Sequence, residues 1–560
     1  MTLAAANNEH PRHQFVWALL ALFFLNGMLS FRDWWPTPGV LPDHRLAPEF
    51  VWLWLVLLAL VAWRGALSPR ALKLVTFIYL LLVLGRYGDV TVPSLFGRPI
   101  NLYWDGAQIP RFLWVSAQEW AWWKSLGLVL LIGFFFWGLF NLLQRAIAVS
   151  ARHAVPYALR SHWVWGVTAL AVLLAIANLA GVRATWPLVS KPVIPTYWQQ
   201  AKLLAASFSK ARQADLLPVE TVVDSALARS SGAALGALGA LDGRDVYLIM
   251  LESVGAVTYD EPKASAALRP RRASFAADVA ASGRQVVTAF FRSPTFGGGS
   301  DLAQLGLLSG MDLSDPMRHD VLLTTQRPTL ISLFKAHGYQ TFGVYPALDW
   351  AWPESAFYGF DVFLERSNFG YSGPALGFWA LPDQYSAARF EQLHPRAGDV
   401  PPRFVFFPTI TCHLPFNPVP PYQADWSKVL EEKPFAESDV ARALAEKPNW
   451  LDMAPSYVRM VDYTYQWLGA YFRQPEPREA IYVLVGDHQP PANITGEGAS
   501  WDVPVHIVSR DKKLLARFVE QGFQAGMETH RQALGDLHTL TGMMLKTFAA
   551  PATQLAGVAR

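Results

Sequence analysis

The 560-residue sequence holds a single cysteine, Cys412, which excludes any intramolecular disulfide; a domain outside the membrane must be held by its own core. Charge is also sparse. Lys, Arg, Asp and Glu make up 16% of the chain against 52% hydrophobic residues, which excludes a wholly soluble protein. A net charge of +3 gives no reason to expect nucleic acid as a partner. No internal repeat is evident, and the length exceeds that of one ordinary domain. What the sequence does have is apolar length, concentrated in its first third.

Five stretches read as membrane spans: Phe15 to Phe31, Phe50 to Trp63, Leu72 to Leu84, Trp122 to Leu143 and Trp163 to Leu179. The second and third are short, near the length at which a buried core helix competes. No small-residue cleavage site follows the first stretch before Arg32-Asp33-Trp34-Trp35, so it reads as a retained span rather than a signal peptide. Arg64, Arg70 and Lys73 fill the second connection without an acid, and Arg145, Arg152 and Arg160 do the same in the fourth. Both connections therefore read as cytoplasmic. With five spans the N-terminus is cytoplasmic and everything after about residue 182 lies outside. Trp34, Trp35, Trp63, Trp120, Trp122, Trp123 and Trp163 stand near span ends, where indole favours the interface. The expected organisation is a transmembrane domain over 1–182, a linker over 183–243 and an extracytoplasmic domain over 244–550. Within the linker, Trp198 to Phe208 reads as an amphipathic helix that suits either the membrane surface or the outer domain.

The outer region changes pattern. Val246 to Leu251 is a continuous apolar run of the kind buried on both faces of a sheet, and similar runs recur at Thr341 to Val344, Phe404 to Phe407, Ile481 to Val485 and Val503 to Val508. Helical segments such as Thr329 to His337 and Pro455 to Phe472 lie between them. This alternation predicts an α/β domain with a mostly parallel central sheet. Ligands of such sheets bind beyond the carboxyl ends of the strands. There the sequence puts Glu252 and Ser253 after the first run, His413 after Phe404 to Phe407, and Asp487-His488 after Ile481 to Val485.

Between the first and second of these runs lies Ser293-Pro294-Thr295-Phe296-Gly297-Gly298-Gly299-Ser300-Asp301. A glycine run ending in a hydroxyl residue, followed by the apolar segment Leu302 to Leu308, places Ser300 at a helix N-terminus, where free N–H groups favour an alkoxide or a phosphate. Two carboxylates and an imidazole form a donor set for zinc, manganese or magnesium, and a serine against such an ion would be acidified. The set suits displacement at a phosphoryl ester through a covalent enzyme intermediate. Taken singly, each of these residues also has a structural use, as a cap, a loop brace or a local hydrogen-bond partner.

Leu251-Glu252-Ser253, the glycine loop ending in Ser300, Thr411-Cys412-His413-Leu414-Pro415-Phe416 and Gly486-Asp487-His488 together resemble the membrane-bound sulfatase-like branch of the alkaline phosphatase superfamily. Lipoteichoic acid synthase and the phosphoethanolamine and phosphoglycerol transferases belong to that branch. The resemblance covers about residues 244 to 510 and extends to five N-terminal spans. It implies one divalent metal held by Glu252, Ser300, Asp487 and His488, Ser300 as nucleophile where the best-known transferases use threonine, and His413 facing the substrate phosphate or leaving group. Tyr345 to Phe360, with Asp349, Trp350, Trp352 and Glu354, resembles the segment lining the head-group pocket, and Gly377 to Asp383 a further family segment. Two departures stand out. The tryptophan and arginine of the synthases are replaced by Trp352-Pro353-Glu354, which supplies no arginine clamp there; Arg292, just before the loop, suits either that clamp or a structural role facing solvent. Ser300 lacks the downstream Pro and Arg that sulfatases need to convert a residue to formylglycine, so it is expected to react as an alkoxide.

The expected function is transfer of a phosphoethanolamine or phosphoglycerol head group from a membrane phospholipid, through Ser300, to an exported glycan or glycolipid. The bacterial cytoplasmic membrane is the expected location, with the catalytic domain periplasmic. A periplasmic phosphodiesterase or sulfatase-like hydrolase uses the same groups with water as acceptor. A non-catalytic partner of a polysaccharide export system is the remaining alternative, against which the intact Glu252, Ser300, Asp487 and His488 speak.

Overall fold

The computed structural model describes residues 11–35, 37–103, 105–106, 121–182, 185, 187–207, 216–218, 220–230, 237–349, 352, 355–396, 400–529 and 532–550. The chain forms two units, Met1–Ser94 with Pro99–Phe208, and Leu95–Arg98 with Ser209–Arg560.

The first unit is helical: α1 (Pro11–Ser30), α2 (Pro48–Arg64), α3 (Pro69–Phe96), α4 (Trp122–Val149), α5 (His162–Leu179) and α6 (Ile194–Ser207). His13–Ser30, Pro69–Phe96, Trp122–Arg160 and His162–Leu179 are long and apolar enough to cross a bilayer. The helix α2 has 17 residues. At ~1.5 Å per residue it falls a little short of a ~30 Å hydrocarbon core. Leu25, Leu57, Tyr79, Val83, Leu143 and Ile147 pack the interior of the bundle, while Phe134, Trp137, Trp163 and Leu173 remain exposed on its outside. That inversion marks a surface solvated by lipid, and the chain is a membrane protein. The helix α6 is tied to the bundle by polar groups. Glu49 accepts the Val193 and Ile194 N–H groups at its start, and Asp89 Oδ1 accepts from Lys191 Nζ at 3.0 Å and Thr196 Oγ1 at 3.1 Å.

The second unit is an α/β domain. Its strands are β1 (Asp245–Leu251), β2 (Gln285–Arg292), β3 (Gln340–Tyr345), β4 (Val362–Glu365), β5 (Arg403–Pro408), β6 (Ala480–Gly486), β7 (Asp502–Ser509), β8 (Gln524–Ala525) and β9 (Ala533–Asp536). They lie in the order β8-β2-β7-β6-β1-β5-β3-β4, with β9 beside β2. The five strands from β6 to β4 run parallel, and β7 runs antiparallel to β6 and β2. Each apolar run expected to be a strand is one. The strand β2 went unanticipated, although its Val286 to Phe291 are all buried.

Helices cover both faces, as parallel strands buried on both sides require. The helices α7 (Pro262–Ala281) and α11 (Ala454–Phe472) bury Leu268, Phe275, Trp467 and Leu468 against one face. The helices α8 (Ser300–Ser309), α9 (Leu330–Ala336) and α12 (Thr539–Phe548) bury Leu305, Leu308, Leu333 and Leu540 on the other. The helix α10 (Asp383–Leu393) joins the first of these cores through Tyr385 and Phe390. His506, in the middle of β7, is an interior residue. Burial pushes its pKa down to about 3, and the neutral ring meets Thr288 Oγ1 through Nδ1 at 2.8 Å and the Tyr465 hydroxyl through Nε2 at 3.0 Å.

Candidate active site

Strand register assembles the site. Leu251 at the end of β1 lies opposite Gly486 at the end of β6, so Glu252 and Asp487 leave the sheet side by side. Gly486 is required there: a Cβ at this position would come within 2.0 Å of the Val254 carbonyl oxygen. The turn after β1 is fixed by two hydrogen bonds, from Glu252 N–H to Thr409 Oγ1 at 3.0 Å and from Ser253 N–H to Asp487 Oδ1 at 2.8 Å. Asp487 Oδ1 also accepts the His488 N–H at 2.7 Å. Only Oδ2 of Asp487 is left to face its neighbours.

Ser300 arrives from the third direction. Gly297, Gly298 and Gly299 all have positive φ, and Gly299, at φ 80°, is the N-cap of α8. L side chains rarely hold such a run, which explains why glycines precede the hydroxyl. The loop is tied back through Ser293 Oγ, which donates to the Asp487 carbonyl at 2.6 Å, and through Gly297 N–H, which donates to the Gln489 carbonyl at 3.0 Å. Ser300 Oγ then lies 3.2 Å from Glu252 Oε2 and 3.2 Å from His488 Nε2. His488 Nδ1 donates to the Gln489 carbonyl at 2.7 Å, so the lone pair of Nε2 points into the cluster. One serine proton thus stands between two acceptors.

Glu252, Asp487 and His488 are buried, and their ligand atoms lie within 4.8 Å of one another, a group that could hold a metal ion. The donor chemistry fits a cation. Burial and the neighbouring Asp487 charge push the Glu252 carboxyl well above its usual range. His488 Nε2 lies 3.6 Å from both Glu252 Oε1 and Asp487 Oδ2, and its other nitrogen is fixed by a backbone carbonyl in the manner of a metal-ligating imidazole.

His413 follows β5 on a half-buried loop. Its Nδ1 donates to the Leu414 carbonyl at 2.7 Å, its ring stacks on Phe378 with centroids 4.7 Å apart, and Trp379 meets it edge-on at 5.5 Å. Burial pushes its pKa down to about 4, which leaves the ring neutral with a lone pair on Nε2. The loop is fastened by Asp383, whose carboxylate accepts the Ile410 N–H at 2.8 Å and the Thr411 N–H at 3.0 Å.

The other described candidates have neighbours of their own. Trp352 packs among Tyr345, Tyr358 and Phe363. Asp349 is exposed and lines a cleft with Glu365 and Arg366. Arg292 is exposed, with its guanidinium 5.8 Å from the Trp501 ring centroid, on a second cleft shared with Asp312 and His538. Trp350 and Glu354 lie outside the described residues. Sequence reasoning did not single out Ser293, Thr409 or Gln489, which hold the backbone of the site. Asp383 was within a quoted segment without being given a task; a buried acid at a helix start was the available signal.

Residues 284–507 match the sulfatase family model. The chain carries a sulfatase domain. With the apolar helices before it, this agrees with the membrane-bound sulfatase-like branch of the alkaline phosphatase superfamily. Over 212 residues the chain is also 26% identical to a protein of Rhizobium meliloti (strain 1021) whose name assigns it to cyclic beta-1,2-glucan modification; the match covers 36% of this chain and 30% of that relative's length. Among solved structures, the integral membrane lipooligosaccharide phosphoethanolamine transferase A of Neisseria meningitidis is 13% identical, with 95% of each chain covered and a TM-score of 0.38. The lipoteichoic acid synthase LtaP of Listeria monocytogenes is 15% identical over 50% of this chain and 68% of its own, at a TM-score of 0.34. The phosphoglycerol transferase GacH of Streptococcus pyogenes is 13% identical over 60% of this chain and 95% of its own, at 0.33.

Proposed function

We propose that this protein is a metal-dependent transferase that moves a phosphoethanolamine or phosphoglycerol head group from a membrane phospholipid, through Ser300, to a glycan or glycolipid acceptor. The observation that carries the reading is the Ser300 hydroxyl, 3.2 Å from both Glu252 and His488 at the N-terminus of α8. Glu252, Asp487 and His488 would hold one divalent ion, with Ser300 beside it. Such an ion, when bound, lowers the serine pKa and offsets charge building on the phosphoryl oxygens.

The chain's own groups do the rest. Glu252 Oε2 holds the Ser300 proton in the resting site and is the first acceptor for it as Oγ attacks phosphorus. The bond to the lipid glycerol oxygen breaks, that oxygen takes the proton received by Glu252, and diacylglycerol leaves with the head group esterified to Ser300. The N–H groups at the start of α8 face the phosphoryl oxygens and favour their negative charge. His413, neutral and with its backbone hydrogen bond made through Nδ1, accepts the proton of the acceptor hydroxyl at Nε2 as that oxygen displaces Ser300, and the proton then returns to the Ser300 oxygen. Arg292, at the end of β2, serves as the phosphate clamp. The apolar helices keep the chain in the membrane that supplies the donor; the proposed setting is a bacterial cytoplasmic membrane with the N-terminus inside and the catalytic domain outside. The name of the Rhizobium relative points to an exported glucan as the acceptor.

Mass spectrometry of the Ser300 peptide tests this, after incubation with mixed phosphatidylethanolamine and phosphatidylglycerol, with and without chelator. A chelator-sensitive adduct is expected, and its mass names the head group. Diacylglycerol release with no adduct under any quench condition would replace this mechanism with direct hydrolysis.

A further inference from the structure

We propose that the cleft beside Trp379 seats a neutral sugar residue of the acceptor, an inference that rests on the transferase reading above and deepens it. The cleft has a volume of about 600 Å³ and is lined by Asp349, Glu365, Arg366, Ser367, Tyr371 and Leu381. Small-ligand sites run from roughly 300 to 1,000 Å³, so a sugar residue and part of its neighbour fit.

Its chemistry selects the class of ligand. A sugar hydroxyl both donates and accepts, so its seat needs both kinds of partner. Asp349 and Glu365 are exposed and present carboxylate acceptors. Arg366 presents guanidinium donors, Ser367 Oγ donates to Glu365 Oε1 at 3.0 Å and leaves its own lone pairs as acceptors, and the Tyr371 ring, held by its hydroxyl on the Pro374 carbonyl at 2.9 Å, adds an apolar wall. Two carboxylates against one guanidinium oppose an anionic occupant such as a second phosphate group, and the mixture of donors and acceptors suits the hydroxyls of a neutral glycan.

Its place selects the step. Arg366 Nη1 donates to the Trp379 carbonyl, and the Trp379 ring meets His413 edge-on at 5.5 Å. Trp379 therefore stands between the cleft and the imidazole assigned to the incoming hydroxyl. Leu381 lines the cleft two residues before Asp383, which fastens the His413 loop. A sugar held there offers its hydroxyls to the same wall that carries the proton acceptor.

The test is isothermal titration of the full chain in detergent with a linear β-1,2-linked glucose oligomer, repeated with ethanolamine phosphate. Two surface variants report on the cleft: Asp349→Ala removes an acceptor, and Ser367→Trp fills the space. Each is expected to weaken sugar binding at least tenfold, while Ser300→Ala binds the sugar as the unaltered chain does. Unchanged sugar affinity in both cleft variants, or no binding by the unaltered chain, overturns the inference. So does weakening confined to ethanolamine phosphate, which would assign the cleft to the donor head group. The Ser300 adduct is measured on the same preparation. An adduct without sugar binding refutes the cleft alone, whereas sugar binding without an adduct refutes the covalent reading.

Discussion

Asp383 and Thr411 hold each other twice: the Asp383 N–H donates to Thr411 Oγ1 at 2.8 Å, and the Thr411 N–H donates to Asp383 Oδ2 at 3.0 Å. With no cation beside it, burial pushes the Asp383 carboxyl up to about 6 from an ordinary 3.8. The folded state therefore binds the proton more tightly than the unfolded chain, and stability should fall as pH rises from about 4 to about 6, by at most ~3 kcal/mol. Thermal melts across that window check this. Asp383→Asn should lose the slope, and Asp383→Ala should lower both stability and turnover because the His413 loop comes loose.

Ser300→Ala should abolish transfer, by on the order of 10⁴-fold or more, with the melting temperature nearly unchanged because the side chain is only half-buried. Ser300→Thr keeps a hydroxyl at the first position of α8 and should retain measurable turnover. Diacylglycerol release from labelled phospholipid is the assay; an alanine variant with normal release would remove Ser300 from the reaction.

Chelation should both inactivate and destabilise the protein. A site held at 100 times its dissociation constant adds about 2.7 kcal/mol to stability, so the melting temperature should rise on adding zinc or manganese, and Glu252→Gln should lose that rise. Because burial and Asp487 raise the Glu252 carboxyl, metal uptake releases a proton, and affinity should increase from acid towards neutral pH. Titration calorimetry in two buffers of different ionisation enthalpy counts the proton.

His413 should give the pH profile its acid limb. Its depressed pKa, about 4, keeps Nε2 available as an acceptor at neutral pH, and transfer should decline as pH falls through that value. His413→Gln should lose roughly 10²- to 10⁴-fold in transfer rate. Acceptor-dependent turnover from pH 3.5 to 8 separates this from loss of binding.

Gly486→Ala should fail for a steric reason, since the new Cβ would lie 2.0 Å from the Val254 carbonyl. Overpacking of this kind typically costs about 1 to 3 kcal/mol. Here the clash is with backbone, so the β1 and β6 ends must part; lowered denaturant midpoint together with lost metal binding is the expected result.

Much of this site was legible because its chemistry sits directly at strand ends. Glu252, His413 and Asp487 each follow an apolar run that could be read without a structure, and Ser300 follows glycines whose positive φ values the turn demands. The five apolar stretches were legible for the same reason, since continuous hydrophobicity reports its own environment. The supports were not. Thr409, Ser293 and Gln489 act through hydrogen bonds between segments far apart in the chain, and a polar residue carries no mark of its distant partner. Arg292 and Trp352 were chosen for their type, but which way a side chain leaves a loop is decided by packing, and Trp352 turns into an aromatic cluster. The strand β2 carries an apolar run like the others, but it runs directly into the polar and glycine-rich loop before Ser300, which masks the strand's end in the sequence.

The pairing of β1 with β6 carries a consequence for biogenesis. Ser253 and Asp487 are 234 residues apart in the chain and meet only through that parallel register. Contacts of such separation form late, after many loops have closed, and the carboxylates do not converge until most of the domain has been synthesised and its sheet has closed. The proposed ion would therefore be captured by a finished pocket rather than act as a template for folding, as it does in small zinc modules. On the proposed reading, the metal taken up would be one available where the sheet closes rather than where the chain is made.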